Sequence, residues 1–308
     1  MERPIRALAL AVLLALGPAG TLCFARQVPV FPARAEIVNV TVSVRDAAGK
    51  LVADLSAADF TVYENGKPQS LDLFARSLEP GQDEALALNL GLLLDTSESM
   101  LPELKLSQEA AVRFLDNIPR ARDLMMIFFD QDIRVSRYNS ENQQGLVQRI
   151  LEAKGGGNTA LYDAIAVYLS RVQESAGRKV LVVLTDGEDS TSAVGRGELV
   201  ELVRSSAVTI YPIGFTGGFP AGGSRALRAR AFLDGLASLP GGQVFSPLAS
   251  RDLAQVYQRI LEELSAQYVL GFSSTDPRRD GKHRKLKVEV RGKGYKVRHR
   301  TGYRAPGG

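Results

Sequence analysis

Five oxygen-bearing side chains stand at the ends of apolar runs or at the starts of helical patterns in this chain of 308 residues. They are Asp95, Ser97, Ser99, Thr159 and Asp186. Two carboxylates and three hydroxyls form an all-oxygen set, which suits Mg²⁺ or Mn²⁺ better than a soft metal. Because two negative charges do not saturate such an ion, we expect an acidic group from outside the chain to fill an open position. The pattern therefore predicts a metal-dependent recognition site.

Each of these side chains also has a purely structural interpretation. Ser97 or Ser99 can cap a helix that begins near Glu103, and Thr159 can cap a helix that begins before Asp163. The two aspartates can cap a helix or close a turn. For a single residue, capping explains the sequence as well as metal binding does. Five caps in this order are a poorer explanation than one shared site.

Four continuous apolar runs must position these residues: LALNLGLLLD, LMMIFFD, KVLVVLTD and VTIYPIGF. Helical patterns lie between and after them, at 103–117, 144–154, 159–173, 198–205, 226–239 and 251–267. This alternation predicts an α/β fold with a doubly wound, mostly parallel sheet that is covered on both faces. Because the carboxyl ends of such strands share one edge, Asp95 and Asp186 should lie together there. Asp130 ends a third run at the same edge, where we expect a structural role.

Patterns typical of β-strands flank the α/β region on both sides. Valines recur at every second position from Val38 to Val44, and three short strand patterns follow the last helical pattern. Each flank is too small to bury a core by itself. We therefore expect one split all-β sandwich, with its first half at 36–80 and its second half at 267–304. The α/β domain, at 86–266, is then an insertion in that sandwich.

The first 25 residues have the features of a secretory signal peptide. Arg3 and Arg6 supply a positive start, Ala7–Leu16 is apolar, and Cys23–Ala25 offers small residues at the cleavage positions. The apolar stretch is shorter than the roughly 20 residues that span a bilayer, and no later stretch approaches that length. We therefore expect cleavage after Ala25 and export to the periplasm or the extracellular space, without a transmembrane segment.

Charge is unevenly distributed, although the formal net charge is only +4. Between Asp276 and Arg304, twelve lysines and arginines stand against three acidic residues, whereas residues 26–275 carry a net charge of −6. The basic segment 276–304 is either a solvated hairpin or a contact for an anionic envelope surface. Export argues against nucleic acid as the partner.

The motif D-x-S-x-S at residues 95–99, followed by Thr159 and by T-D-G at 185–187, resembles the von Willebrand factor A domain over residues 86–266. In that family the cluster is called the metal-ion-dependent adhesion site (MIDAS). The resemblance implies that the three hydroxyls offer oxygens to the ion, and that both aspartates act directly or through water. It implies that a partner's Asp or Glu replaces a bound water. It also implies that the last helix, 251–267, shifts on occupancy, and we expect that shift to reach the β-sandwich.

The whole chain further resembles secreted bacterial proteins related to the von Willebrand factor A domain. Their pattern D-F-x-V-x-E-N/D-G-K-x-Q matches Asp59 through Gln69. This match extends the resemblance to the flanks. It informs the expected architecture of the chain but not its mechanism.

These features favour an exported binding or adhesion protein that recognises an acidic group on a protein or glycan partner. We expect no enzyme, because the chain lacks G-x-S-x-G and G-x-x-x-x-G-K, and the α/β region lacks histidine. One alternative is an exported structural module whose metal only stabilises the fold. Another is a Mg²⁺-dependent hydrolase with Asp95 as nucleophile, although Ser97 stands where such enzymes need a second acid. Because loops are usually exposed, we also expect Asp95→Ala to cost the fold little.

Overall fold

Strands and helices alternate as predicted in the computed structural model, which describes residues 37–76, 87–118, 121–139, 145–215, 223–247 and 252–307. The strands are β1 (Ile37–Arg45), β2 (Phe60–Glu64), β3 (Lys67–Gln69), β4 (Leu73–Arg76), β5 (Leu88–Asp95), β6 (Asp123–Phe129), β7 (Ile133–Tyr138), β8 (Arg178–Thr185), β9 (Val208–Gly214), β10 (Tyr268–Ser273), β11 (His283–Val290), β12 (Lys296–Arg298) and β13 (Gly302–Arg304). The helices are α1 (Leu101–Asn117), α2 (Leu146–Leu151), α3 (Leu161–Val172), α4 (Arg196–Ser205), α5 (Ser224–Ser238) and α6 (Leu253–Ser265). The predicted signal peptide at 1–25 lies outside the described residues.

The central sheet has five strands in the order β7-β6-β5-β8-β9. Strands β6, β5, β8 and β9 run parallel, and β7 is an antiparallel edge strand. The fold is therefore mixed α/β with a mostly parallel sheet, as predicted. Because β5 and β8 are neighbours, the loops that follow Asp95 and Thr185 begin side by side at the carboxyl edge of the sheet.

The two faces of this sheet belong to two separate hydrophobic cores. Leu92 and Leu94 of β5 pack in the core that includes side chains of α1, α2 and α6. Leu93 packs on the opposite face, in the core that includes side chains of α3, α4 and α5. All eight residues of β5 are buried, which explains why its sequence is apolar without alternation. The strand that carries Asp95 is thereby fixed from both sides.

Strands from the two flanks combine into two four-stranded sheets. One sheet has the order β12-β1-β10-β4, and the other has the order β13-β11-β2-β3. Strand β1 pairs antiparallel with β10, which places Val40 opposite Leu270, and β11 pairs antiparallel with β2, which places Val288 opposite Val62. These four side chains belong to one buried apolar cluster. The two flanks therefore share a core, although the α/β region separates them in sequence.

The basic C-terminal segment is partly buried. Arg284 is only 4% exposed, forms an ion pair with Glu64 and donates a hydrogen bond of 2.7 Å to Ser274 Oγ. Arg300 is also buried, with its guanidinium carbon 5.5 Å from the centre of the Tyr303 ring. Both charges interact with neighbouring side chains inside the fold. The count of basic residues therefore overstates the charge that this segment presents to a partner.

Residues 36–308 form one compact unit. The predicted bounds of its parts, 36–80, 86–266 and 267–304, therefore stay predictions. Within the described ranges, no helix combines the length and the apolarity that crossing a membrane requires.

Candidate metal centre

Asp95 is the last residue of β5, and hydrogen bonds hold both of its carboxylate oxygens. Its Oδ1 accepts the backbone N–H of Ser97 at 2.9 Å, and its Oδ2 accepts the hydroxyl of Thr185 at 2.7 Å. The Thr185 hydroxyl in turn accepts the backbone N–H of Gly187 at 3.1 Å. Asp95 therefore joins the loop after β5 to the loop after β8.

The two serines of the D-x-S-x-S motif lie together on the same side of their loop. Ser97 Oγ is 3.3 Å from Ser99 Oγ, and Ser99 as a neighbouring donor lowers the pKa of the Asp186 carboxyl. Ser97 precedes a short 3₁₀ turn, Glu98–Met100, but its side chain makes no capping hydrogen bond there. This absence disfavours the capping explanation for Ser97 and leaves its oxygen available to an ion.

Thr159 is buried in the loop before α3, and its backbone is held by the loop after β8. Its N–H donates to Ser190 Oγ at 2.9 Å, and its carbonyl accepts the N–H groups of Ser190 and Thr191. Ala160, not Thr159, is the N-cap residue of α3, so the Thr159 hydroxyl does not cap that helix. The Ser97 N–H thus links the β5 loop to the Asp95 carboxylate, the Ser97 hydroxyl lies beside that of Ser99, and backbone contacts fasten Thr159 to the loop after β8, which also carries Asp186.

The glycines before Thr159 allow this loop to approach the β5 loop closely. The backbone N–H of Gly156 donates to the Thr96 carbonyl at 2.7 Å, and the Gly157 carbonyl accepts the N–H of Glu98 at 3.1 Å. A Cβ atom on Gly155 would lie 2.5 Å from the Thr96 carbonyl oxygen. The glycine run therefore permits this close approach, and Gly155 tolerates no side chain without a shift of the β5 loop.

The expectation of an exposed loop is wrong for most of the cluster. Asp95 is 0% exposed, Ser97 is 1% exposed and Asp186 is 5% exposed, whereas Ser99 is exposed. The reason is that three loops cross-link through their own polar groups and bury one another at the sheet edge. Replacing Asp95 by Ala would leave the Thr185 hydroxyl and the Ser97 N–H without their partner, which costs about 1–3 kcal/mol for each group left unsatisfied.

Burial dominates the electrostatics of the two carboxyls. It raises the pKa of Asp95 to about 6, against the hydrogen bonds from Ser97 and Thr185, and the negative charge of Asp186 adds to the increase. Burial also raises the pKa of Asp186, against the hydrogen bond from Ser99 and the charge of Arg225. Burial outweighs the charge of Arg225 at Asp186, and a divalent cation among these two neighbouring carboxylates would stabilise their charged forms.

The donor set fits a hard divalent ion. All five side chains offer oxygen, and such ligands suit Mg²⁺ or Mn²⁺. In the part of the chain that the structure describes, no cluster of three or more His, Cys, Asp or Glu side chains offers an alternative site. The arrangement therefore offers oxygen ligands for one cation at the sheet edge, and Ser99 is its exposed member.

Asp130 has a structural role, as the sequence predicted. Its carboxylate accepts hydrogen bonds from Thr96 at 3.1 Å and from both terminal nitrogens of Arg134, at 3.2 and 2.7 Å. Burial raises the pKa of Asp130, but the hydrogen bonds from Arg134, from the Asp132 N–H and from Thr96, together with the charge of Arg134, lower this pKa below its ordinary value. Its carbonyl accepts the N–H of Ala160. These contacts fasten the β6 end to the loops that carry the site.

Sequence reasoning missed Thr185 and Thr96, which position the site without belonging to the predicted donor set. Thr185 binds the Asp95 carboxylate, and Thr96 links Asp130 and Arg134 to the loop of Ser97. Thr185 is the first residue of the T-D-G motif, so a closer examination of that motif would have found it. No comparable pattern marks Thr96.

Comparisons with known proteins agree with this geometry. The model of the von Willebrand factor type A domain matches residues 89–259, a segment that contains all five predicted site residues. No curated protein matches the chain.

Among solved structures, a von Willebrand factor type A protein from Catenulispora acidiphila is 12% identical, with a TM-score of 0.46 over 90% of this chain and 75% of that one. The open conformation of the pilus adhesin SpaC from Lactobacillus rhamnosus GG is 8% identical, with a TM-score of 0.50 over 80% of this chain and 48% of its own. Proximal thread matrix protein 1 from the mussel byssus, with a zinc-occupied MIDAS motif, is 20% identical, with a TM-score of 0.44 over 61% of this chain and 48% of its own. At these identities the similarities concern the fold alone.

Proposed function

Because the chain belongs to the von Willebrand factor type A domain family, we propose that it is an exported, metal-dependent binding protein that recognises an acidic group on a protein or glycan partner. The observation that carries this proposal is the clustering of predicted site residues at one sheet edge: the Ser97 N–H binds the Asp95 carboxylate, the Ser97 and Ser99 hydroxyls lie 3.3 Å apart, and Ser99 lowers the pKa of Asp186. Two of these groups are carboxyls whose pKa values are raised by burial, and a bound cation would stabilise their charged forms.

In this proposal Asp95, Ser97, Ser99, Thr159 and Asp186 hold Mg²⁺ or Mn²⁺. The bound ion supplies a Lewis-acidic position for a carboxylate of the partner. Thr185 keeps the Asp95 carboxylate oriented, because its hydroxyl donates to Oδ2 at 2.7 Å. Ser99 is the exposed member of the set, so it marks the side from which the partner approaches.

We propose the following organisation around this site. The two flanking sheets, at 36–80 and 267–304, form one split β-sandwich, and the α/β domain at 86–266 is inserted in it. The shared buried cluster of Val40, Val62, Leu270 and Val288 supports the sandwich.

We propose a binding rather than a catalytic role for the exported protein, in the periplasm or outside the cell. A nucleophilic Asp95 is disfavoured, because its two oxygens already accept hydrogen bonds and its side chain is inaccessible. The exposed part of the basic segment 276–304 offers a further contact to an anionic envelope surface. Burial of Asp95 also favours the alternative of a purely structural metal, so an experiment must separate the two roles.

Calorimetric titration of the purified protein with Mg²⁺ and with Mn²⁺ tests the site. The wild type should show saturable binding, and Asp95→Asn should abolish it, because the amide keeps the shape of the carboxyl but lacks its charge. Glu98→Gln is the matched control, since Glu98 is an exposed acid beside Ser97 and should be dispensable. Absence of binding in the wild type, or equal loss in both variants, would refute the assignment of the five ligands.

Recognition is tested separately from stability. Capture of partners from an envelope extract, with and without chelator, should depend on the metal in the wild type and fail for Asp95→Asn. If chelator lowers only the melting temperature and every captured partner remains bound, the metal is structural and the recognition proposal is wrong.

A further inference from the structure

A cleft lies beside the loop of the candidate metal centre, and most of its charged lining residues are cationic. Strand β7 forms one wall, α2 and the segment after it form the other, and the volume is about 760 Å³. Among the described residues, Arg134, Arg149 and Lys154 line it, against the single acid Glu152. Ser136 adds a polar hydroxyl to the wall.

Two of the three cations lack an anionic partner. Both terminal nitrogens of Arg134 bind the Asp130 carboxylate, so its charge is already compensated. Arg149 donates to the neutral Ser136 hydroxyl at 2.6 Å, and Glu152 is occupied by the amide of Gln148 at 2.8 Å. Among the described residues, no ion pair joins Arg149 or the exposed Lys154 to a carboxylate.

The cleft is directly connected to the loop of the candidate metal centre. Arg134 donates to the Thr96 hydroxyl at 2.8 Å, and Thr96 stands between Asp95 and Ser97. On the opposite wall, Lys154 is followed by three glycines, and the N–H of the second, Gly156, donates to the Thr96 carbonyl at 2.7 Å. Both walls of the cleft are therefore fastened to the loop between Asp95 and Ser97.

The wall formed by β7 favours a polypeptide as the occupant. Strand β7 is the edge of the central sheet, paired with β6 on one side only within the described residues. An extended segment can add to such an edge through backbone hydrogen bonds, with alternate side chains directed into flanking pockets. Guanidinium and ammonium groups beside that edge would donate charge-assisted hydrogen bonds to acidic side chains.

We propose that this cleft is an anion-binding subsite for an acidic segment of a protein partner, which gives one carboxylate to the metal ion and another to Arg149 and Lys154. This inference rests on the proposed metal-dependent function. Two linked contacts strengthen each other, because the first raises the local concentration of the second group. The charged contact also makes association sensitive to ionic strength.

The test uses a fluorescent oligoglutamate peptide and the double variant Arg149→Gln/Lys154→Gln in saturating Mg²⁺. The matched control is Arg228→Gln/Arg230→Gln, which removes two exposed charges from α5 on the opposite face of the sheet. The cleft variant should bind the peptide about tenfold more weakly than the wild type and with a smaller dependence on salt. The control variant should bind like the wild type.

The rise in melting temperature with Mg²⁺ separates the proposed metal-dependent function from the proposed anion-binding subsite. If Mg²⁺ does not stabilise the wild type and does not bind in the calorimeter, the proposed function itself fails. If Mg²⁺ binds but both double variants bind the peptide equally, or the wild type does not bind it at all, the subsite proposal fails alone. Oligogalacturonate is the acidic glycan used for comparison. If the cleft variant loses affinity for this sugar but not for the peptide, the choice of a polypeptide is wrong.

Discussion

Glu263 of α6 should be one of the most important polar residues for stability, although it lies outside the candidate metal centre. Its side chain is 0% exposed. Its Oε1 accepts the hydroxyls of Tyr211 at 2.8 Å and Ser43 at 3.3 Å, and its Oε2 forms ion pairs with Arg45, at 3.0 Å, and with Arg298. One carboxylate thus joins α6 to β9 and to two strands of a flanking sheet.

The cost of Glu263→Gln follows from these contacts. The amide keeps the volume and can still accept the two hydroxyls, but it removes the charge that faces Arg45 and Arg298. Removal of one member of a buried ion pair costs about 3–5 kcal/mol. Both arginines are 26% exposed, so water compensates part of that loss. We expect destabilisation of about 2–4 kcal/mol, or a fall in melting temperature of about 5–10 °C.

Urea and thermal unfolding measure this loss, with Glu262→Gln as the matched control. Glu262 is the preceding residue of the same helix, is exposed, and contacts only Gln258 at 3.4 Å among the hydrogen bonds described. The control should change stability by less than about 0.5 kcal/mol. Equal effects of the two variants, or a loss below about 1 kcal/mol for Glu263→Gln, would refute the reasoning that this buried charge is essential.

Two further variants test the close approach at the site and the titration of a half-buried histidine. Gly155→Ala should weaken Mg²⁺ binding by about tenfold or more, because its Cβ would lie 2.5 Å from the Thr96 carbonyl oxygen; Gly235→Ala, in open space within α5, should leave that affinity unchanged. Burial lowers the pKa of His299 below its ordinary value, so the unfolded chain binds a proton at this residue more readily than the folded protein does. Stability from His299 is therefore present above about pH 6.5 and is lost as the pH falls. Between about pH 7 and about pH 5, the free energy of unfolding in urea should therefore fall less for His299→Gln than for the wild type. The variant His283→Gln, altered at an exposed position, should retain most of the pH dependence of the wild type. Tight Mg²⁺ binding by Gly155→Ala, or an unchanged pH dependence in His299→Gln, would contradict the respective argument.

The strands that carry the site were predictable because burial on both faces leaves a continuous apolar run. Asp95 ends β5, and Asp186 immediately follows β8, as expected from the positions where the apolar runs stop. Strand β7 was not predicted. Its sequence IRVSRY mixes charged and apolar residues, because an edge strand is covered less completely than the central strands.

The burial of the site could not be predicted from the sequence. It depends on contacts between residues far apart in the chain, such as the hydrogen bond from Thr185 to Asp95, which no local pattern reveals. The same is true of the basic C-terminal segment. Its charge count suggested an exposed surface, whereas Arg284 and Arg298 neutralise Glu64 and Glu263 inside the fold.

The contacts of α6 restrict how occupancy of the metal centre can influence the flanking sheets. Arg178 of β8 donates to the Leu264 carbonyl at 2.9 Å and to Gln267 Oε1 at 3.1 Å, and Gln267 donates to Tyr211 at 2.7 Å. Sliding the helix by one turn, about 5.4 Å, would break these bonds and leave Glu263 as an unpaired buried charge, which costs several kcal/mol.

The hypothesis that α6 transmits occupancy is therefore compatible with only one kind of movement. The helix must carry β1 and β12 with it, because Glu263 binds Arg45 and Arg298 on those strands. A cross-link between α6 and β9 would block this joint displacement and should change the Mg²⁺ affinity. Unchanged affinity would show that the site and the flanking sheets are not coupled through α6, and the buried carboxylate would then serve stability alone.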